Sequence, residues 1–506
     1  MNRKKKLLLN TGSALMYQVI TLVCGFILPQ FVIPYFGSAT NGLINSITQF
    51  LTIITLCECG VGAVVQSALY KPLADKDDQQ ISRIVISSNR FFNTIMRLLG
   101  IYVLGLIVIY PLMVRNEFSW LFTASLILIL ALSYIAQYYL FLSYRLLLNA
   151  DQASYIQLTA HSVALIANTV VTIVLIKLGA SVHLVKLASA AAFLIQPLAI
   201  KFYVDRHYNL NLKLKLTEEP LKQKWNGLAQ HVASVVQANA ATVVLTVFST
   251  LQNVSVYSVY YLVVHGIRQI IVSLNTGIQA LLGNMLAKNE REELDKTYST
   301  VEFVFHTVVT LLFGVTGILL LPFVRVYAAN FTDADYIQPL FGVLMTLAQA
   351  CYCIRIPYEM MIKAAGHYKQ TQTSSFIEAG LNIVASVALV WSFGLNGVAL
   401  GTVIAMSYRT VYLVFYLSRN ILCRKVSYFV KQLLVDCICI MAMVAATCWI
   451  ELQAVSYLSW IWMAVQVGVI CLAICIFINW LFYREMFDGA AKLLLRKRSK
   501  KEIGRI

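Results

Sequence analysis

Apolar runs long enough to cross a bilayer recur along nearly the whole chain. A helix needs roughly 20 apolar residues to cross the hydrocarbon core, at about 1.5 Å per residue. Residues 7–33 form the first such run and residues 456–483 the last. Only 12% of the residues are charged and 59% are hydrophobic, whereas a soluble domain carries about twice that charged fraction. Because helices satisfy their own backbone polar groups in lipid, the sequence predicts an all-α polytopic membrane protein with about 14 transmembrane helices.

The basic residues are distributed as a membrane topology requires. The formal net charge is +17, and most of the 40 Lys and Arg fall in loops on one side of the predicted membrane. In membrane proteins, Lys and Arg concentrate in cytoplasmic loops. The membrane topology therefore explains the positive net charge better than binding to nucleic acid does. We therefore predict a multi-pass protein of the cytoplasmic membrane with both termini in the cytoplasm. The start "MNRKKKLLLN" is interpreted as a retained first helix, because its apolar part is too long for a signal peptide. The basic tail "LLLRKRSKKEIGRI" predicts contact with anionic membrane lipids.

The two halves of the chain show the order and spacing of an internal repeat. "PLADKDDQQISRIVISSNRFF" aligns with "MLAKNEREELDKTYSTVEFVF", and "LLNADQASYIQ" aligns with "IKAAGHYKQTQ" at nearly the same offset. An even number of spans in each half gives two parallel six-helix repeats, a design common among transporters. We predict an N-terminal lobe at 1–205, a cytoplasmic linker at 206–225, a C-terminal lobe at 226–418, and two extra helices with the tail at 419–506.

The eighth span carries a long polar face. On a helical projection, one arc of about 100° gathers the polar residues of "VSVYSVYYLVVHGIRQIIVSLNTGIQALLG"; these are Tyr257, Ser258, Tyr261, His265, Arg268, Asn275, Thr276 and Gln279. Arg268 lies about 21 Å from the outer end of this helix, near the membrane midplane. Such a face lines water, a ligand or a hydrophilic contact with another helix.

A second polar stripe follows span 2, around the acid of "TLCECGVGA". Glu58 is the only charge in a long apolar run, and Thr55 and Gln66 lie on its side of the helix. Because spans 2 and 8 occupy corresponding places in the repeats, we interpret them as opposite walls of one cavity. His231 and Asn239 in span 7 are candidates for the same cavity. The alternative for Glu58 is a structural ion pair with an arginine.

Patterns typical of enzymes do not occur in the sequence. There is no P-loop, HExxH or GxSxG motif and no Cys/His cluster with metal spacing, and these arrangements carry ATP hydrolysis, metal-dependent hydrolysis and acyl transfer. We therefore expect no enzyme activity and no cofactor. Transport without ATP would use a proton or sodium gradient, or the gradient of the substrate itself.

Two motifs carry a resemblance to a known family. Gly37 followed by Gly42-Leu43-Ile44 matches a G-x-x-x-x-G-L segment, and "ECG" at 58–60 matches an acid-small-Gly element in span 2. Together with the span 8 sequence, these residues resemble the Wzx-type polysaccharide flippases of the multidrug/oligosaccharidyl-lipid/polysaccharide (MOP) exporter superfamily. The resemblance covers essentially the whole chain.

This resemblance implies a function and a site. Such proteins move an undecaprenyl-pyrophosphate-linked oligosaccharide across the bacterial cytoplasmic (inner) membrane by alternating access, for O-antigen or capsule assembly with other polysaccharide-assembly proteins. Arg268, with His265, would hold the pyrophosphate. The residues expected to contact sugar are Tyr257, Tyr261, Asn275 and Gln279. Glu58 would be a counter-ion or a group that responds to protons or sodium.

Two alternatives remain open. A multidrug exporter of the same superfamily would need acids around its cavity, and Glu58 is the lone clear acid opposite Arg268. A membrane polysaccharide polymerase would typically carry a sizeable outside loop, and the outside loops here are short. A membrane acyltransferase stays open because histidines lie within the predicted spans.

Overall fold

The fold of this chain is helical throughout the part that the computed structural model describes, which is residues 3–52, 56–135, 141–214, 228–273, 275–288, 290–484 and 486. None of these residues lies in a β-strand. The chain forms two compact units, Met1–Ser255 and Val256–Ile506.

The described residues of the first unit form ten helices and the first turn of an eleventh. They are α1 (Arg3–Phe36), α2 (Ser38–Thr52), α3 (Leu56–Asp75), α4 (Asp78–Met113), α5 (Trp120–Tyr134), α6 (Leu142–Ala150), α7 (Ser154–Lys177), α8 (Val182–Phe193), α9 (Ile195–His207), α10 (Leu228–Phe248) and α11 (Leu251–Ser273). The α10 helix packs on α2 and α3. The predicted lobe boundary at 206–225 stays a prediction.

In the second unit, the part of the chain that the structure describes forms the remainder of α11 and seven further helices. They are α12 (Asn275–Ala287), α13 (Arg291–Tyr327), α14 (Pro339–Ile354), α15 (Ile356–Ala364), α16 (Tyr368–Asn420), α17 (Ser427–Thr447) and α18 (Tyr457–Phe482). The α16 helix is interrupted at Gly394, whose φ of 53° lies outside the helical range. It therefore comprises two of the predicted spans, since glycine adopts positive φ without steric cost.

Polar caps start several helices where the apolar runs begin. The Asp77 carboxylate accepts from the backbone N–H of Gln80 at 2.9 Å and caps α4. Ser181 accepts from Leu184 N–H at 3.4 Å at the start of α8. Such caps satisfy backbone donors that have no partner within the helix. The short polar segments between apolar runs thereby fix where the helices begin.

The predicted fold class is confirmed. Among the described residues, nine helices are long and apolar enough to span a membrane. One of these contains the Gly394 break, and shorter apolar helices cover other predicted spans. Many large side chains on these helices remain exposed, including Leu121 and Trp391, as expected for surfaces that contact lipid tails. The chain is a multi-pass helical membrane protein.

The internal repeat is visible in the helices of the two units. The α4 and α13 helices, which carry the first pair of aligned sequences, have 36 and 37 residues. The α6 and α15 helices have 9 residues each. Gly179 and Gly394 both adopt positive φ at corresponding turns. Similar helix lengths and positive-φ glycines in the same order agree with the predicted six-helix repeats.

Candidate substrate-binding site

The structure describes some of the predicted site residues and leaves others out. It describes the side chains of Tyr257, Tyr261, His265, Arg268, Gln279, Gln66 and Asn239. Thr55 and the side chains of Glu58, His231 and Asn275 lie outside the described part of the chain. The polar face of α11 in the second unit is the better defined site.

Three rings form a ladder along α11. Tyr257 and Tyr261 are stacked with ring centroids 5.6 Å apart, and Tyr261 stacks on His265 at 4.9 Å. Residues four apart lie on one helix face, which explains why the sequence pattern predicts this ladder. Tyr257 is buried and its ring lies 6.1 Å from that of Phe341. Tyr261 and His265 are partly exposed, so they form the accessible end of the ladder.

Arg268 continues this face one turn further along α11. Its guanidinium lies over the ring of Tyr352, with 3.5 Å between Cζ and the ring centroid. One nitrogen, Nη1, donates to Gln349 Oε1 at 3.2 Å. Arginine has five N–H donors and no acceptor. Within the described residues, Nε has no hydrogen-bond partner and no carboxylate pairs with this guanidinium.

A buried ion-pair network adjoins the Arg268 site. Arg355 lies on the same Tyr352 ring, with Cζ 4.4 Å from the centroid, and donates to Glu378. Arg409 Nη1 lies 3.4 Å from Glu378 Oε2. Glu378 therefore pairs with both arginines. Glu378 thus neutralises only part of the charge of two buried arginines.

The network ends at α15. Glu359 lies 2.8 Å from Lys363 Nζ and 4.0 Å from Arg409 Nη2. Arg355, Glu359 and Lys363 follow each other at intervals of four residues, and the Glu359–Lys363 step of this series forms an ion pair. Arg355 instead reaches across to Glu378 on α16. It lies at the junction of α14 and α15, so its backbone does not continue the regular spacing of either helix.

The charges of this cluster do not cancel among the described residues. Its cations are Arg268, Arg355, Arg409 and Lys363, and its carboxylates are Glu359 and Glu378. Arg355 and Arg409 are buried, and burial makes an uncompensated cation costly, by several kcal/mol per ion. A bound anion would lower that cost by pairing with the Arg268 donors. The arrangement therefore suits an anionic group next to the Tyr261–His265 rings.

Sequence reasoning missed the two side chains that hold Arg268. Gln349 and Tyr352 lie on α14, in the span before Arg355. Their spacing of three residues places the two side chains on one helix face, and that spacing was the available signal. Gln279 is partly exposed on α12.

The predicted stripe in the first unit makes contacts within that unit. Asn239 is buried on α10, and its Oδ1 accepts from Thr52 Oγ1 of α2 at 3.1 Å. Asn41 donates to Ser255 Oγ at 2.7 Å. A Cβ on neighbouring Gly42 would collide with the carbonyl of Leu251. The small and polar residues of α2 thus allow close packing, and Gln66 on α3 is partly exposed.

Comparisons with known proteins relate the chain to transporters through its fold. The chain superposes on the lipid II flippase MurJ in an inward closed conformation with a TM-score of 0.72 at 16% identity, covering 95% of this chain and 99% of that one. An inward-facing multidrug resistance transporter of the MATE family and MOP superfamily matches with a TM-score of 0.62 at 14% identity, covering 84% and 99%. The Vibrio cholerae MATE transporter VcmN in its bent form gives 0.54 at 12%, covering 82% and 98%.

Comparisons of sequence gave no further assignment, since no known protein family and no curated protein matches. The structural matches show that the chain has the fold shared by MurJ and MATE transporters. At these identities they do not assign a substrate.

Proposed function

We propose that this chain flips an undecaprenyl-pyrophosphate-linked oligosaccharide across the bacterial cytoplasmic membrane by alternating access, for surface polysaccharide assembly. The fold shared with a lipid II flippase and with multidrug transporters supports a transporter rather than an enzyme. The resemblance of the span 2 and span 8 motifs to the Wzx-type flippases supports the lipid-linked oligosaccharide as the substrate.

This proposal rests on the hydrogen bonding of the Arg268 guanidinium. Its guanidinium is oriented by Tyr352 and Gln349 and retains donors that no described residue uses. Guanidinium donors match phosphate oxygens in a bidentate geometry. The neighbouring cations raise the local positive potential further, because Glu359 and Glu378 only partly neutralise them. A pyrophosphate group is the anion of the proposed substrate that fits this site.

The ring ladder supplies the second part of the proposed contact. Tyr261 and His265 present partly exposed rings beside Arg268, and such rings combine an apolar face with a polar edge. They are suited to the sugar next to the pyrophosphate. Tyr257 is buried behind Tyr261, so its role in this proposal is to support the Tyr261 ring.

A multidrug exporter is the competing transporter, because MATE proteins have the same fold. A cationic drug would be repelled by a site whose described charges sum to a positive value, and such repulsion is strong away from water. The cluster of Arg268, Arg355 and Arg409 therefore favours an anionic substrate.

The test is replacement of Arg268. In the producing bacterium, Arg268→Gln at native expression should reduce surface polysaccharide at least about tenfold, as loss of a charge-assisted contact with the substrate predicts. Undecaprenyl-linked oligosaccharide should accumulate on the inner face. Arg268→Lys should restore only part of the export, because an ammonium is not bidentate. Arg97→Gln is the matched control, since Arg97 is an exposed arginine within a span.

Thermal unfolding of the purified variants separates binding from a structural role. Normal export by Arg268→Gln would contradict the assignment of this residue. Lost export together with a collapsed unfolding temperature would identify Arg268 as a structural ion-pair partner instead. If Arg268→Gln lowered resistance to cationic drugs and left polysaccharide export intact, the multidrug exporter would be favoured.

A further inference from the structure

The end of α16 and the segment that joins it to α17 enclose a cavity of about 470 Å³. This volume lies in the range of small-ligand sites, about 300–1,000 Å³. The basic residues of its lining are Arg419, Arg424 and Lys425. The Arg268 site lies on α11 and α14 instead, so this cavity is a separate basic pocket of the second unit.

The turn after α16 brings these cations together. Cys423 has a φ of 51°, and the backbone N–H of Arg424 donates to Ser418 O at 3.1 Å. The chain therefore turns back on the last turn of α16, and Arg424 and Lys425 line the same cavity as Arg419. Positive φ is uncommon for a residue with a side chain, so this turn is a specific feature of the segment.

The three cations differ in their partners. Arg424 donates to Glu302, and its side chain is only 18% exposed. Arg419 and Lys425 are exposed, and within the described residues no carboxylate lies at ion-pair distance from either. Two uncompensated cations thus share one cavity. Such a cavity attracts an anion in preference to a neutral or cationic ligand.

An apolar cavity of about 450 Å³ continues from this pocket along α16. The two cavities share Tyr412 and Phe415, and Val411 and Ser407 line the second one. From Ser407 to Arg419 the helix rises about 18 Å, at about 1.5 Å per residue, which is close to half of a hydrocarbon core of about 30 Å. The two cavities together form a groove that is basic at the helix end and apolar over the depth of about one leaflet.

Tyrosine rings form one wall of this groove. Tyr412 and Tyr416 are stacked with ring centroids 6.2 Å apart, and Tyr408 lies 6.3 Å from Tyr412. His367, which precedes α16, has its Nδ1 3.0 Å from the Tyr416 hydroxyl oxygen and fixes the outermost ring. Tyrosine combines an apolar ring with a polar end, as suits the membrane interface. The wall is therefore ordered for a ligand that lies across this interface.

We propose that this groove binds one anionic phospholipid of the surrounding leaflet, with the lipid phosphate at Arg419 and Lys425 and one acyl chain in the apolar cavity. The predicted topology places the end of α16 on the cytoplasmic side, where the leaflet is negatively charged and basic pockets bind anionic head groups. A zwitterionic lipid would bring a further cation to two uncompensated ones. The bound lipid connects α16 to the segment before α17, since one of its cations lies on each.

The probes are phosphatidylglycerol, which is anionic, and phosphatidylcholine, which is zwitterionic, with the same acyl chains. Each is titrated into the purified full-length protein in detergent, and native mass spectrometry counts the bound lipids. Wild-type protein should bind one tight phosphatidylglycerol. Arg419→Gln/Lys425→Gln should weaken this binding about tenfold or more, as loss of two cations beside an anionic lipid predicts. Both side chains are exposed, so the double variant should fold.

Arg291→Gln/Lys369→Gln is the matched control for charge. It removes two exposed cations from the same predicted side of the membrane, and it should bind phosphatidylglycerol like the wild type. Phe415→Ala tests the acyl chain and should also weaken the binding, because Phe415 lines both cavities. Its control is Leu434→Ala, which removes a similarly exposed apolar side chain on α17 and should leave the binding unchanged.

Equal phosphatidylglycerol binding by the wild type and Arg419→Gln/Lys425→Gln would overturn the proposal, as would equal affinity of the wild type for the two phospholipids. Undecaprenyl pyrophosphate is the third probe. If the double variant lost binding of this lipid alone, the groove would belong to the substrate path, and the phospholipid proposal would be wrong. A dimer that the double variant abolishes would identify the groove as a contact between two copies instead. These measurements involve no transport, so their outcome is independent of the proposed function.

Discussion

The guanidinium of Arg268 lies directly over the ring of Tyr352, with 3.5 Å between Cζ and the ring centroid. Arg355 approaches the same ring, at 4.4 Å. Two cations that would repel each other thus both contact the negatively polarised π system of one tyrosine. This contact is worth about 2 kcal/mol where water is excluded. Tyr352 therefore positions Arg268, and we classify it as a positioning residue.

Tyr352→Leu should disorder the Arg268 guanidinium and lower export, because the leucine side chain offers no aromatic face. Tyr352→Phe should retain most activity, since the ring rather than the hydroxyl holds the cation. The measurement is surface polysaccharide at matched expression, together with the concentration dependence of export in vesicles. A binding defect would raise the substrate concentration needed and leave the maximal rate closer to that of wild type. An equal loss of export in Tyr352→Phe and Tyr352→Leu would show that the hydroxyl is the functional group.

Glu378 is the carboxylate on which two buried arginines depend. Removing one partner of a buried ion pair typically costs about 3–5 kcal/mol, because a charge is left without compensation. Glu378→Gln should therefore lower the unfolding temperature in detergent and reduce the yield of monodisperse protein. Arg355 and Arg409 would both lose their closest carboxylate.

Glu292→Gln provides the control for Glu378→Gln. Glu292 also pairs with a cation, Lys296 at 2.9 Å, but both side chains are exposed. Exposed pairs contribute little to stability, so this variant should unfold at the wild-type temperature. A comparable loss in both variants would show that the Glu378 effect reflects general charge removal rather than the buried network.

The fold was largely predictable because the membrane imposes simple rules on length and polarity. Apolar run lengths located the spans, and the matching loops predicted the repeat that appears in α4 and α13. The Gly394 turn was visible as well, because a glycine separates two apolar runs. These features depend on local composition, which a single sequence reports directly.

The contacts within the site were harder to predict from the sequence, because they depend on which helices pack against each other. The α11 ring ladder followed from spacing within one helix. The contacts of Arg268 with Tyr352 and Gln349 join α11 to α14, and no periodicity specifies that pairing. The His306–Asp436 bond likewise joins α13 to α17. His306 and Glu302 were assigned no role from sequence, since their partners are distant in the chain.

The two ends of α17 offer a test of the predicted orientation. Cys423 lies before this helix and Cys448 directly after it, and both are exposed. The 21 residues of α17 span about 30 Å, the thickness of the hydrocarbon core. The two thiols should therefore open to opposite sides of the membrane. With both termini in the cytoplasm, Cys423 faces the cytoplasm and Cys448 the outside.

Two single-cysteine variants, with the remaining cysteines replaced by alanine or serine, make this measurable. A membrane-impermeant maleimide added to intact spheroplasts should label the Cys448 variant and leave the Cys423 variant unlabelled until the membrane is permeabilised. Exposed thiols react with maleimides through their thiolate form, so both variants should label fully after permeabilisation, which serves as the control for accessibility. If Cys423 were labelled in intact spheroplasts and Cys448 were not, the orientation would be the opposite of the predicted one. Labelling of both from outside would show that α17 does not cross the membrane.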